Sequence, residues 1–170
     1  MSKKNPAEPE PWLRGTLQEV PAVPRAVLHA LELAKEDLWK WCLPLTAQQL
    51  NDRPGGIAPV AFHLRHIARS LDRLLTYAED GALNESQLSL LYAELAPNAE
   101  HHQLFREMQT AFRESARRIR ELALIPPETS RRVGKKQLPT TVGGLLVHVA
   151  DHTLRHVGQA ITTAQFVAKP

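Results

Sequence analysis

Four long segments of this sequence repeat apolar residues at the three- and four-residue spacing of an amphipathic α-helix, and no stretch alternates convincingly with period two. Pro44, Gly81 and the pair Pro126-Pro127 follow the first three segments and end them. A chain of 170 residues suits one hydrophobic core. The pattern therefore predicts an all-α fold, a bundle of helices over residues 24–43, 59–78, 99–124 and 140–168.

The connecting stretches carry their own signals. Residues 46–50 predict a short capped turn, and Thr140 or Thr141 is the expected N-cap of the last helix. The remaining connections are predicted as a breaker stretch at 51–59, a short bridge at 85–95 and a loop at 131–139. Residues 1–20, which are rich in Pro, Glu and Lys, predict a flexible N-terminal arm, and residues 21–170 a single helical domain.

Composition excludes several classes of protein. The single cysteine, Cys42, rules out an intramolecular disulfide framework and is expected to be a small buried hydrophobe. No run approaches the roughly 18 apolar residues of a membrane span, and the first residues lead into no signal core, so we expect no membrane partner and a cytoplasmic location. Nucleic acid is the least favoured partner, because the net charge is only +3 and the basic cluster at 131–136 has no interleaved aromatic residues.

The eight histidines are the compositional oddity, and three of them fall on the last predicted helix. On a helical wheel His156 lies within the apolar stripe, His152 at its edge and His148 about 40° further out. Each gap is four residues, so either neighbouring pair has the spacing to bind one metal ion through facing imidazoles. The wheel favours His152 with His156.

A metal site needs a third neutral imidazole from another helix, and the second helix offers His63 or His66. Periodicity alone favours His63, which lies nearer the apolar stripe. Three histidines from two helices would form a mononuclear centre with exchangeable positions, suited to zinc, nickel, iron or copper. The structural alternative is that each histidine simply hydrogen-bonds a backbone carbonyl or a carboxylate.

Two segments carry a family resemblance: His63-Leu64-Arg65-His66-Ile67-Ala68-Arg69-Ser70, and residues 148–159, which contain the histidine pair. They resemble the two signature helices of the DinB/YfiT-like superfamily, and residues 45–56 are similar to the connector before its second helix. The resemblance implies a four-helix bundle with an up-down-down-up arrangement, often dimeric. It also implies a divalent metal held by His66, His152 and His156, because the single ligand of the family's second helix precedes a short run that here is 67–70.

The resemblance further implies a metal-dependent enzyme acting on a small molecule. The two activities are hydrolysis of an amide-like bond and transfer of a low-molecular-weight thiol, such as bacillithiol or mycothiol, onto an electrophile. Zinc and nickel are the first candidate metals, with iron, manganese and copper as alternatives, and a homodimer is expected. No catalytic residue is assigned. His63 and His148 are expected at the pocket mouth, and Gln159 as a hydrogen-bonding group.

The alternative is a non-catalytic metal-binding or stress-associated bundle in which the histidine site is structural or vestigial. The two functions differ in coordination. An enzyme needs a position open to water or substrate, whereas a structural site needs none.

Overall fold

The computed structural model describes residues 8–168, and this part of the chain is predominantly helical. The α-helices and β-strands of the described residues, in chain order, are α1 (Ala22–Trp41), α2 (Ala47–Asn51), α3 (Val60–Ala78), α4 (Glu85–Tyr92), α5 (His101–Leu122), β1 (Ser130–Val133), β2 (Leu138–Thr141) and α6 (Val142–Val167). The four predicted long helices correspond to α1, α3, α5 and α6, with ends within two residues of the expected ones. The helical periodicity is thereby confirmed.

The four long helices share one apolar core, since α1 and α3 each pack against both α5 and α6. Leu38, Leu64, Ile67, Met108 and Val149 are among its fully buried side chains. Each large aliphatic side chain removed from water contributes about 1.5–3 kcal/mol, before the cost of ordering the chain. No helix within residues 8–168 is both long and apolar enough to cross a membrane.

Local capping explains how the chain enters α3. Thr46 and Gln49 form a reciprocal capping box at the start of α2. The turn after α2 takes Gly55 to φ +61° and Gly56 to φ +83°, left-handed values that side chains other than glycine rarely adopt. This turn returns the chain to Pro59, the N-cap of α3.

The connection between α4 and α5 is held by polar contacts. The Asn51 side chain donates to the Ala99 carbonyl at 3.0 Å and accepts from the Ala99 amide at 2.9 Å. The Arg65 guanidinium donates to the Ala96 carbonyl. These bonds fix residues 93–100 beside α3.

A two-stranded antiparallel hairpin occupies the stretch that the sequence predicts as a loop, so the fold is not entirely helical. Ser130 pairs with Thr141, and Val133 pairs with Leu138. The alternation was invisible because both strands are polar and partly exposed. The hairpin ends directly at Thr141, whose hydroxyl accepts from the Gly144 amide as the N-cap of α6.

The N-terminal segment touches the bundle where it is described. Arg14 forms ion pairs with Glu32 and Glu36 of α1 at 3.0 and 2.6 Å. The first seven residues of the predicted 1–20 arm lie outside the described part of the chain. The arm and the 21–170 domain therefore stay predictions.

Candidate metal centre

Helices α3 and α6 bring three predicted histidines together. His66 of α3 and His152 and His156 of α6 each offer one ring nitrogen, and these three atoms lie within 4.8 Å of one another. The four-residue gap places His152 and His156 one turn apart on the same face of α6. All three side chains are partly exposed, so the cluster lies at the edge of the core rather than inside it.

The Nδ1 atom of His66, on the side of the ring away from His152, is hydrogen-bonded to a buried carboxylate. His66 Nδ1 lies 2.7 Å from Glu94 Oε2, and the other oxygen of Glu94 accepts from Arg73 Nη1 at 2.7 Å. Burial would raise the pKa of Glu94, but the hydrogen bonds from His66 and Arg73 hold it below its ordinary value. An ionised carboxylate only accepts, so His66 donates from Nδ1, and the neutral form of this ring has its lone pair on Nε2.

The Nδ1 atom of His152, on the side of the ring away from His66, faces Ser70. The Ser70 hydroxyl donates to the Ile67 carbonyl at 3.1 Å, which leaves its oxygen to accept from His152 Nδ1 at 3.5 Å. In the tautomer that donates to Ser70, the lone pair of His152 lies on Nε2. The Nε2 atoms of His66 and His152 face each other at 3.2 Å. Two lone pairs at this distance need a proton or a cation between them.

His63 contacts the third member of the cluster. Its Nδ1 atom lies 3.2 Å from Nδ1 of His156, and its side chain is buried. When His156 is the donor of this bond, its Nε2 atom is left unprotonated. Periodicity favoured His63 as the third member of the cluster, whereas the structure groups His66 with the α6 pair and places His63 behind His156.

The electrostatics of the site favour neutral imidazoles at His152, His156 and His63. Burial, followed by the proximity of His156 and His66, lowers the pKa of His152 to about 4. Burial, followed by His66 and Arg155, lowers the pKa of His156, and burial followed by His156 and His66 lowers that of His63 to about 4. Neutral imidazole is the form that binds metal ions.

The donor set fits a divalent ion. It consists of three imidazole nitrogens, and His66 and His152 have their outer N–H groups against oxygen acceptors, as histidine ligands of metals usually do. Imidazole suits zinc, nickel, iron and copper, and this set does not choose among them.

The sequence did not identify Glu94, and it predicted the positions of His148 and Gln159 only approximately. Glu94 lies in a connection with no periodic pattern, 28 residues from His66, and no local signal identifies it. The His148 side chain is 47% exposed, and its ring centre lies 5.5 Å from that of His152. Gln159 lines a groove of about 560 Å³ together with His63, Arg155 and Gly158.

A wider groove, about 640 Å³, lies on the other side of α3 and is lined by residues of α3, α4 and α5. It contains none of the clustered histidines. Its size alone therefore does not make it the candidate for chemistry. Cys42 is also remote from such a role, since it is fully buried and burial raises the pKa of its thiol to about 12.

A family model described as DinB superfamily matches residues 30–160 of this sequence. The match runs from the middle of α1 through most of α6 and includes all three clustered histidines together with Glu94. No curated protein matches the sequence.

Proposed function

The chain belongs to the DinB superfamily, and on that premise we propose that it is a metal-dependent enzyme whose divalent ion is held by His66, His152 and His156. The observation that carries the proposal is the pair of Nε2 atoms of His66 and His152, which face each other at 3.2 Å while their Nδ1 atoms lie against oxygen acceptors. His156 adds the third nitrogen within 4.8 Å.

Three neutral ligands leave the charge of the ion uncompensated. A divalent ion in such a site acts as a Lewis acid that lowers the pKa of a bound water or thiol. That chemistry serves both reactions implied by the family: hydrolysis of an amide-like bond and transfer of a low-molecular-weight thiol. Neither needs a protein nucleophile, which agrees with the burial of Cys42.

We place the small-molecule substrate in the 560 Å³ groove beside the cluster. His63 forms part of its wall and contacts His156, so one side chain separates the groove from the candidate ligands. Its volume is within the range of small-molecule sites. The Arg155 guanidinium, held by Asp151 at 2.7 Å, and the Gln159 amide supply polar groups that orient a substrate.

The metal site is tested by elemental analysis of protein purified without a histidine tag. Wild-type protein is expected to retain about one divalent ion per chain, and His156→Ala to lose it. His148→Ala is the matched control, because this histidine lies on the same helix but outside the cluster. Wild-type protein without stoichiometric metal, or unchanged content in His156→Ala, contradicts the proposal.

Gly158 offers a test of the groove that leaves the ligands intact. Gly158 lines the groove, and a Cβ built there meets no atom within 4 Å, so Gly158→Leu adds bulk at a position with room for a side chain. With metal content unchanged, it should lower kcat/KM about tenfold or more for either reaction. Gly158→Ala is the small control and should retain activity, with a helix stabilised by up to about 1 kcal/mol.

The two reactions are separated by offering metal-loaded and chelated protein a set of small amides, and a low-molecular-weight thiol with an electrophile. Activity toward either set that requires metal identifies the reaction. Metal that stabilises the fold, with neither activity, favours instead the structural or vestigial site.

We also propose the up-down-down-up course for the four long helices. It is supported by contacts between elements: His63 with His156 and His66 with His152 imply that α3 and α6 are antiparallel. Arg69 with Glu107 and Glu79 with Arg118 imply that α3 and α5 are parallel. The homodimer and the cytoplasmic location stay predictions.

A further inference from the structure

Arg73, Glu94 and His66 form a chain of charge-assisted hydrogen bonds beside the cluster. Both bonds are 2.7 Å long, and they use the two different oxygens of Glu94. The side chains of Glu94 and Arg73 are only 5% and 11% exposed. Burying this ion pair carries a desolvation cost, so its presence next to the cluster calls for an explanation beyond stability.

We propose that Arg73 and Glu94 are positioning residues that hold His66 in the Nδ1-protonated tautomer, so that Nε2 always presents its lone pair to His152 and His156. The tautomer assignment stands on the contacts alone, while its consequence for metal binding rests on the proposed function. The ionised carboxylate can only accept, so it selects the ring nitrogen that carries the proton. Glu94 lies on the α4–α5 connection, and the docking of that connection thereby sets the chemistry of a residue on α3.

Arg73 determines which group of residue 94 faces His66. A guanidinium only donates, so it always binds an oxygen of residue 94. In Glu94→Gln the single amide oxygen is therefore held by Arg73, and the NH₂ group faces His66 Nδ1. An NH₂ donor requires a lone pair on Nδ1, which moves the proton to Nε2 and blocks the lone pair that the metal needs.

Removing Arg73 at the same time reverses the effect. In the double variant Arg73→Met/Glu94→Gln, no guanidinium holds the amide oxygen, and the amide can turn its oxygen toward His66. The Nδ1-protonated tautomer should return. A purely structural role for Arg73 predicts the opposite, that the second substitution adds to the damage of the first.

The chain supplies a matched control one turn earlier on α3. Arg69 pairs with Glu107 at 2.7 Å, in a partly buried ion pair that contacts α5 and none of the clustered histidines. Glu107→Gln therefore removes a comparable carboxylate charge without touching His66.

The direct experiment is long-range proton–nitrogen correlation NMR on isotope-labelled, metal-free full-length protein, which reports the tautomer of each neutral imidazole. We expect His66 to be Nδ1-protonated in wild type, in Glu107→Gln and in Arg73→Met/Glu94→Gln, and Nε2-protonated in Glu94→Gln. An Nε2-protonated His66 in wild type, or the same tautomer in wild type and Glu94→Gln, overturns the inference.

Zinc affinity, measured with a competing chromophoric chelator, gives the second readout. Glu94→Gln should bind zinc about 10–100-fold more weakly, the double variant should recover most of this loss, and Glu107→Gln should remain close to wild type. If Glu94→Gln does not fold because the charge of buried Arg73 is no longer neutralised, Arg73→Met/Glu94→Leu removes both charges and must still lose the Nδ1 preference and the affinity. If wild-type protein binds no zinc, the proposed function fails while the NMR result still decides the tautomer inference.

Discussion

Helix α3 carries polar side chains on two faces, and the two faces satisfy their polar atoms in different ways. Toward α5, Arg69 binds Glu107, and Asp72 binds Arg118, each at 2.7 Å. Donor meets acceptor at both contacts. Toward α6, His66 and His152 bring two Nε2 atoms to 3.2 Å, and their Nδ1 atoms lie against Glu94 and Ser70 on the other side of each ring.

The two faces illustrate how structural polar contacts differ from a binding site. The charged groups on the α5 face satisfy one another, because each cation is neutralised by a carboxylate and needs no third group. The α6 face is complete only when a cation or a proton joins the facing lone pairs. The charged residues draw attention to the α5 face, whereas the convergence of three imidazole nitrogens points to the α6 face.

The largest expected effect is the loss of metal affinity when the α6 face is broken. His152→Ala removes one of three ligands and should weaken zinc binding by about 100-fold or more. Arg118→Met, which breaks the α5 face, should leave the affinity within about twofold. Competition against a chromophoric chelator measures both, and equal losses in the two variants would erase the distinction between the faces.

Thermal stability should respond to metal only through the α6 face. Zinc at about 100 times its dissociation constant should stabilise wild type by about 2.7 kcal/mol, which corresponds to about 5–10 °C in Tm for a domain of this size. His152→Ala should show no such gain. Differential scanning calorimetry with zinc and with a chelator measures the change in Tm. A wild-type Tm that neither zinc nor the chelator alters argues against the site.

Breaking the α5 face should cost stability alone. Arg118 is 12% exposed and binds the more exposed carboxylates of Asp72 and Glu79, so solvent screening limits its contribution. Arg118→Met should lower the free energy of unfolding by about 1 kcal/mol, and Tm by about 2–4 °C. Urea titration measures the change. High salt should reduce the difference between wild type and variant, and a difference unaffected by salt would show that packing dominates.

Cys42 is a third case, a buried titratable group that lies on neither face of α3. No charged neighbour among the described residues stabilises its thiolate. Burial raises the pKa of its thiol to about 12, above that of the thiol in the unfolded chain. The native thiol therefore stays protonated at every pH below about 12. At about pH 8 roughly one molecule in ten thousand carries the thiolate. Ellman's reagent should not react with native protein but should titrate one thiol in denaturant. Rapid reaction of native protein would contradict the burial.

Much of this fold follows from local rules. The helices of residues 24–43 and 140–168 appear in the structure because apolar periodicity and terminal proline or threonine signals act within a few residues. The hairpin at 130–141 escaped prediction because polar, half-exposed strands of four residues leave no alternation to detect. Its formation depends on tertiary contacts such as the Arg131 guanidinium bound to the Ala78 carbonyl at 2.7 Å.

The sequence by itself determined that His152 and His156 share one face, since a gap of four residues closes one helical turn. It left the third histidine open between His63 and His66, and only resemblance to a family favoured His66. The packing of α3 on α6 groups His66 with both histidines of α6, whereas His63 contacts His156 from outside this group. The tertiary structure also supplied Glu94, which reaches His66 only after the α4–α5 connection has docked on α3. Spacing along one helix is a local property, whereas a partner from another element exists only once the elements have packed.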